Sequence, residues 1–168
     1  MLHNLEGCLV TWIVRASVVL ALLASVVGCV EIPTNTGSSF SIDRSTCYGS
    51  CPAYRFTLYA DDSYMWQGRA HVRVTGTMRG HMDTGTFAAA KELLHSARYL
   101  EFNDSYEGGS ACEIWQTDNQ TVKIEVVDAT TSKSITHYLG CKGFARQEEL
   151  TRLEERMDEI FRTRKFAH

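Results

Sequence analysis

The chain has 168 residues, of which 44% are hydrophobic and 10% aromatic, and its formal net charge is −3. This composition is that of a globular protein and excludes a long disordered chain. The slight acidic excess also argues against a nucleic-acid-binding protein, since phosphate backbones are held by clustered lysines and arginines.

The first 28 residues have the features of a secretory signal peptide. Arg15 stands before an apolar run over residues 16–27, which is shorter than the roughly 20 residues that a membrane-spanning helix needs. The run ends in the sequence VVGC, whose cysteine is Cys29, and this matches the lipobox of bacterial lipoproteins. We therefore predict that residues 1–28 are removed and that Cys29 carries a lipid. The alternative, an uncleaved anchor helix over about residues 9–30, would place Arg15 inside the bilayer.

Residues 29–39 are predicted to be the lipidated cysteine and a tether. Ten flexible residues span only about 17 Å r.m.s., which keeps the folded part close to the membrane surface. Val30 follows Cys29, at the position where lipoproteins retained in the inner membrane of Gram-negative bacteria carry an aspartate. In a Gram-negative source we therefore expect the outer membrane, with the domain facing the periplasm.

A single domain is predicted over residues 40–168. Alternating apolar and polar residues indicate strands over residues 54–59, 64–67 and 72–79, and the alternation is most regular in the last of these. The turn between the first two is placed at Asp61, Asp62 and Ser63. These segments favour an antiparallel meander with one solvated face.

Helical spacing of apolar residues appears twice in the rest of the chain. It covers residues 87–97, with Asp83, Thr84 or Thr86 available as the N-cap, and again residues 150–161. Between these helices lie a predicted loop over residues 103–110 and strand alternation near residues 122–126 and 135–139. The order strands, helix, strands, helix predicts an α+β fold in which two helices pack on one face of an antiparallel sheet.

Four cysteines remain after the predicted cleavage and lipidation, an even number for an oxidising compartment. Three pairings are possible. We favour Cys47–Cys51 together with Cys112–Cys141, because Gly49 permits a tight turn between the first two.

Two functional hypotheses compete with structural disulfides. Thiol–disulfide exchange at Cys47 and Cys51 is disfavoured, because exchange dithiols usually have two intervening residues and precede a helix. Here three residues intervene and a predicted strand follows. A zinc site needs four ligands with suitable spacing, and only the first cysteine pair approximates it.

Other polar and aromatic residues are assigned structural roles. His137 lies on the apolar side of its strand and is predicted to be a semi-buried imidazole with its hydrogen bond satisfied. Asp158 is expected to pair with Arg162 one turn later in the last helix. Four glutamates of that helix are interpreted as a solvated face: Glu148, Glu149, Glu154 and Glu155. Four aromatic residues could form an exposed patch, although packing in the core or the sheet is favoured: Tyr48, Tyr64, Trp66 and Trp115.

The cysteine motif resembles a known family. The segment CYGSCPAYRFTLY, residues 47–59, is similar to the signature of the bacterial family called domain of unknown function 6438: Cys, aromatic, Gly, any residue, Cys-Pro, any residue, aromatic, then an alternating strand. The similarity extends over residues 40–162. It implies an α+β envelope domain that is secreted or lipid-anchored, and it transfers no catalytic residues. This chain has Asp61-Asp62 where the family tends to have Asp-Gly, which argues against a type I′ turn.

These features predict a lipid-anchored cell-envelope protein that is not an enzyme and uses neither a cofactor nor a metal. Its expected partners are the membrane, through the lipid on Cys29, and an envelope protein or a cell-wall component. Nucleic acid is not expected. The alternative is a thiol–disulfide active protein that uses Cys47 and Cys51.

Overall fold

The computed structural model describes residues 37–168, which belong to one compact unit. The predicted signal peptide, Cys29 and the tether up to residue 36 lie outside the described residues. In the part of the chain that is described, no helix is long and apolar enough to cross a membrane.

Over residues 37–168 the chain forms nine strands and three α-helices. The strands are β1 Ser39–Arg44, β2 Ala53–Tyr59, β3 Ser63–Ala70, β4 Gly76–His81, β5 Ser105–Tyr106, β6 Ile114–Trp115, β7 Thr121–Val127, β8 Ser132–Tyr138 and β9 Cys141–Lys142. The helices are α1 Thr86–Ser96, α2 Gln147–Phe161 and α3 Arg164–Ala167. Seven strands form one sheet in the order β4-β3-β2-β1-β7-β8-β5, while β6 and β9 form a second, two-stranded sheet. All neighbours are antiparallel except β5 and β8, which are parallel.

The core is built on aromatic side chains of the central strands. Phe40 of β1 and Phe56 of β2 are buried, because apolar residues occupy every second position of these strands. The ring of Phe87 in α1 stacks on Phe40 with 4.3 Å between centroids, and Phe161 of α2 stacks on Phe56 at 4.9 Å. The predicted fold class, α+β with a large antiparallel sheet, is confirmed at this level.

A row of charged side chains crosses the central strands of the sheet. Arg69 pairs with Asp43, Arg55 lies between Asp43 and Glu125, and Lys123 pairs with Glu125 at 2.6 Å. These side chains are 22–48% exposed, so each pair contributes at most about 1 kcal/mol to stability. The charges make this surface of the sheet a solvated one.

The strand predicted over residues 72–79 is displaced, since β4 begins only at Gly76. Val74 donates its N–H to the carbonyl of Phe166 at 3.0 Å, and its own carbonyl accepts the indole N–H of Trp66 at 2.8 Å. A side chain at Gly68 would collide with that same carbonyl. Because α3 and Trp66 use the backbone groups of Val74, this segment does not extend the ladder with β3.

The hairpin between β2 and β3 has a three-residue loop. The N–H of Asp62 donates to the carbonyl of Tyr59 at 3.0 Å, and Asp62 has a φ of +61°. A type I turn followed by a left-handed residue gives this arrangement, and aspartate tolerates it better than most residues do. The expectation that Asp61-Asp62 would not form a type I′ turn agrees with this geometry.

Asp62 also caps helix α1. The predicted N-cap residues make no capping bond with their side chains. Instead the Asp62 carboxylate accepts the N–H of Gly85 at 2.8 Å and that of Phe87 at 2.6 Å. The prediction of a local cap was wrong because a carboxylate from a distant hairpin satisfies the first turn of the helix.

Replacing Asp62 by alanine is expected to lower the free energy of unfolding by about 1–2 kcal/mol, because α1 loses its cap and alanine is strained at positive φ. Urea denaturation measures this loss. The control is Asp61→Ala, which removes an acceptor used only by Ser63 and should have a smaller effect. Equal losses in the two variants would contradict the capping role of Asp62.

Candidate functional site

The four cysteines within residues 37–168 form two disulfides, in the pairing that the sequence favoured. Cys47–Cys51 joins residues four apart, and Tyr48 inside this loop is 88% exposed. Cys112–Cys141 joins residues 29 apart, and Cys141 is fully buried. No free thiol is therefore present in this part of the chain.

A half-open pocket of about 280 Å³ lies beside the Cys47–Cys51 loop. Its walls come from the end of β1, the start of β2, the residue before β7, the last turn of α2 and the segment that contains α3. The lining residues are Arg44, Pro52, Tyr54, Gln120, Asp158, Thr163, Arg164, Ala167 and His168.

The Asp158 carboxylate organises this pocket. Its Oδ2 accepts the Nε–H of Arg44 at 2.8 Å and lies 2.7 Å from the Nη2 atom. Its Oδ1 accepts the hydroxyl groups of Tyr54 at 2.6 Å and Thr163 at 2.8 Å. Both carboxylate oxygens are thus fully engaged in bonds that hold three segments of the chain together.

The pair predicted between Asp158 and Arg162 does not form. Arg162 ends α2 in a left-handed conformation with a φ of +53°, and its guanidinium pairs with Asp83. Asp158 faces the sheet instead, where Arg44 and Tyr54 lie directly opposite each other in β1 and β2.

The electrostatics of the cluster favour a fixed arrangement of donors. Burial lowers the pKa of Arg44, but the Asp158 carboxylate, together with Tyr54 and Glu154, raises it, so the pKa lies above its ordinary value. Burial raises the pKa of Tyr54, and Asp158 raises it further. At neutral pH the guanidinium is therefore charged and the phenol protonated, so neither group can act as a base.

Gln120 connects the pocket to the disulfide loop. Its side-chain amide N–H groups donate to the carbonyl of Ser45 at 2.7 Å and to that of Pro52 at 2.8 Å. Its amide oxygen accepts a long bond of 3.4 Å from the Nη1 of Arg44. Gln120 thus positions both ends of the loop that contains the Cys47–Cys51 bond, and it also contacts Arg44 in the pocket.

A second polar pair lies in the core. The Nδ1 of His137 in β8 is 2.7 Å from the Oε1 of Glu154 in α2, and these side chains are only 1% and 3% exposed. The interpretation of Glu154 as part of a solvated face was therefore wrong, because this position of the helix meets His137. His137 is more buried than predicted, and its Nε2 has no partner among the described residues.

The four aromatic residues considered for an exposed patch divide into two pairs. Trp66 is fully buried against Tyr54 and Phe166, and Tyr64 packs against the core. Tyr48 and Trp115 are instead 88% and 54% exposed. Core packing was thus the correct prediction for half of the set.

Two further features bear on possible sites. Over residues 37–168, no group of three or more His, Cys, Asp or Glu side chains is arranged to hold a metal ion. A groove of about 330 Å³ runs along α1, and its lining includes Phe40, Leu94, Tyr99 and Val126. This groove is mainly apolar, and its lining also includes the charged residues Lys91, Arg98, Glu101 and Asp128.

A comparison with protein families assigns the chain. Residues 38–161 match the family model described as domain of unknown function (DUF6438). The chain belongs to this family. The match covers both disulfides and five of the nine residues that line the pocket of the DUF6438 domain. The other four follow the matched region: Thr163, Arg164, Ala167 and His168. No curated protein matches the chain.

The sequence identified the cysteines of this DUF6438 domain but not the pocket beside them. Arg44, Gln120 and Arg164 were not among the candidates. A signal for Arg44 was available, because it follows Phe40 and Ile42 at every second position and so falls on the buried side of β1. A charged residue in phase with a core stripe indicates a buried partner.

Proposed function

We propose that this DUF6438 domain is a non-catalytic binding or structural domain, held at the cell envelope by a lipid on Cys29. The observation that carries the proposal is the state of the groups at the pocket. Both oxygens of Asp158 are engaged, and Tyr54 is held as a protonated donor. Such an arrangement suits recognition, because catalysis by these groups would require a base free to accept a proton.

Two features support the envelope location: the lipobox at Cys29 and the two disulfides. Disulfides persist in oxidising compartments and are rare in the cytosol, and the described part of the chain has two. In a Gram-negative bacterium the proposed site is the outer membrane, on its periplasmic side. The proposed partner is an envelope protein or a cell-wall component.

A second candidate, thiol–disulfide exchange at Cys47 and Cys51, is favoured by one observation. The loop that contains this bond is exposed at Tyr48, so another protein's thiol could reach it. Against exchange, Cys51 leads into strand β2, and no helix N-terminus follows to stabilise a thiolate. We therefore keep the binding domain as the proposed function.

The Cys29→Ser variant tests the anchor. Cells fed a labelled fatty acid should incorporate the label into the wild-type chain and not into the variant, and the variant should leave the membrane fraction. Cys8→Ser is the matched control, because Cys8 precedes the predicted cleavage site, and it should label as the wild type does. Unlabelled wild-type protein, or label retained in Cys29→Ser, would contradict lipidation at Cys29.

The same cells separate binding from thiol exchange. In a Cys51→Ser chain, Cys47 is left without its partner. If Cys47 then forms mixed disulfides with other envelope proteins, and the wild-type bond opens under mild reductant, exchange replaces binding as the proposed function. A bond inert to mild reductant and an absence of mixed disulfides support the non-catalytic domain.

A further inference from the structure

We infer that the pocket beside the Cys47–Cys51 loop binds a small anionic group, a carboxylate or a phosphate, through Arg44 and Arg164. This inference deepens the proposed binding function and rests on it. Its support is the arrangement of charge around the pocket, the unused hydrogen-bonding capacity of Arg44 and the volume of the pocket.

The floor of the pocket is a guanidinium that is fixed in place. Arg44 has a side chain only 15% exposed, and Asp158 holds its Nε and Nη2. Within residues 37–168 the Nη1 donates one hydrogen bond, the 3.4 Å bond to Gln120, which is too long to be strong. Arg44 therefore has donor capacity to spare on the nitrogen that Asp158 does not hold.

The neighbourhood of the pocket is positive. The charge of Asp158 is offset by Arg44, while Arg164 lines the same pocket and takes part in no ion pair with residues 37–168. Lys165, which lies in α3, and Arg73, which donates to the Lys165 carbonyl, have no acidic partner in that range either. An excess of cations persists here although the chain as a whole carries a net charge of −3.

The size of the pocket limits what it can take. Ligand pockets for whole small molecules usually begin at about 300 Å³, and this pocket has about 280 Å³. This volume is enough for a carboxylate or a phosphate group, either free or at the end of a larger molecule. Charge-assisted hydrogen bonds from a guanidinium to a carboxylate or a phosphate are of the strong class.

Nuclear magnetic resonance titration of the ¹⁵N-labelled mature chain in a zwitterionic detergent tests this inference. Sodium phosphate is added in one arm and sodium acetate in the other, both at constant pH and ionic strength. We expect saturable shifts of the Arg44 Nε–H signal and of the backbone amides of residues 163–168. Saturation with phosphate alone identifies a phosphate group as the ligand, and saturation with acetate alone identifies a carboxylate.

Two variants give the test its specificity. Arg164 is exposed, so Arg164→Gln should keep the wild-type spectrum elsewhere and should weaken anion binding about tenfold, the loss of one charge-assisted bond. The control is Arg152→Gln, at an exposed arginine that lines a different groove, and it should bind as the wild type does.

Two results would overturn the inference. One is shifts that stay linear with anion concentration in both arms and are spread over many lysines and arginines. The other is an equal weakening of anion binding in Arg164→Gln and Arg152→Gln. These outcomes concern the pocket alone. Lipid labelling at Cys29 tests the anchor separately, so the failure of either result can be recognised without the other.

Discussion

Replacing Glu154 by alanine is expected to lower the free energy of unfolding by about 3–5 kcal/mol, the largest effect of any single substitution proposed for this protein. The substitution leaves His137 buried without the carboxylate that lies 2.7 Å from its Nδ1. The rings of Tyr106 and Phe144 pack edge-on against the imidazole. Neither ring offers a strong hydrogen-bond acceptor to replace the lost carboxylate. Urea denaturation of the full chain, at a pH where the wild type is stable, measures the loss.

The neighbouring residue provides the control. Glu155 is on the same helix but exposed, so Glu155→Ala should change stability by no more than about 0.5 kcal/mol. The double variant His137→Leu with Glu154→Leu replaces both partners by apolar groups, and it should recover a large part of the loss. A loss below about 1 kcal/mol in Glu154→Ala would show that the pair is not essential to the core.

Removing the Cys112–Cys141 disulfide is expected to have the second largest effect. Loop-closure entropy for a bridge between residues 29 apart predicts a loss of about 3.5 kcal/mol, against about 2 kcal/mol for the short Cys47–Cys51 loop. Cys141 is also fully buried and pairs in β9 with Trp115 of β6. The double variant Cys112→Ser with Cys141→Ser should therefore open this small sheet as well as destabilise the domain.

The matched control for this variant is Cys47→Ser with Cys51→Ser, compared in the same denaturation experiment. Hydrogen exchange should lose protection at Glu113 and Gln116, whose N–H groups donate to the carbonyls of Lys142 and Gly140, only when the longer bond is removed. If removal of the short bond lowers the free energy of unfolding more than removal of the long one, loop-closure entropy does not explain the effect of the disulfides on stability.

The parts of the fold that the sequence predicted are those with a long, regular period. The alternation in β2 and β7, and the apolar stripe of α2, survive in the structure because burial on one face selects them. The two-residue strands β5, β6 and β9 were missed, since so short a segment has no period to recognise. Residues 72–75 alternate between apolar and polar, yet the backbone N–H groups of Arg73 and Val74 donate to carbonyls of α3 and not to a neighbouring strand. A tertiary contact of this kind leaves no signal in the local sequence.

The candidate site was predictable only in part, for a similar reason. The cysteine motif is local, and it identified the disulfide loop that lies beside the pocket but not the pocket itself. Glu154 and Asp158 stand among exposed glutamates in one helix, and the sequence does not distinguish the two that meet His137 and Arg44 across the core. Their partners lie 17 and 114 residues away, so the pairs become visible only once the sheet is assembled.

We propose that this domain is lipid-anchored and performs no chemistry with its cysteines, which form two structural disulfides. Intact mass and non-reducing peptide mapping of the protein purified from its native membrane test this most directly. We expect a chain that begins at a lipid-modified Cys29 and carries the bonds Cys47–Cys51 and Cys112–Cys141 with no free thiol. An unmodified Cys29 on an uncleaved chain, or reduced Cys47 and Cys51 in the native protein, would contradict it.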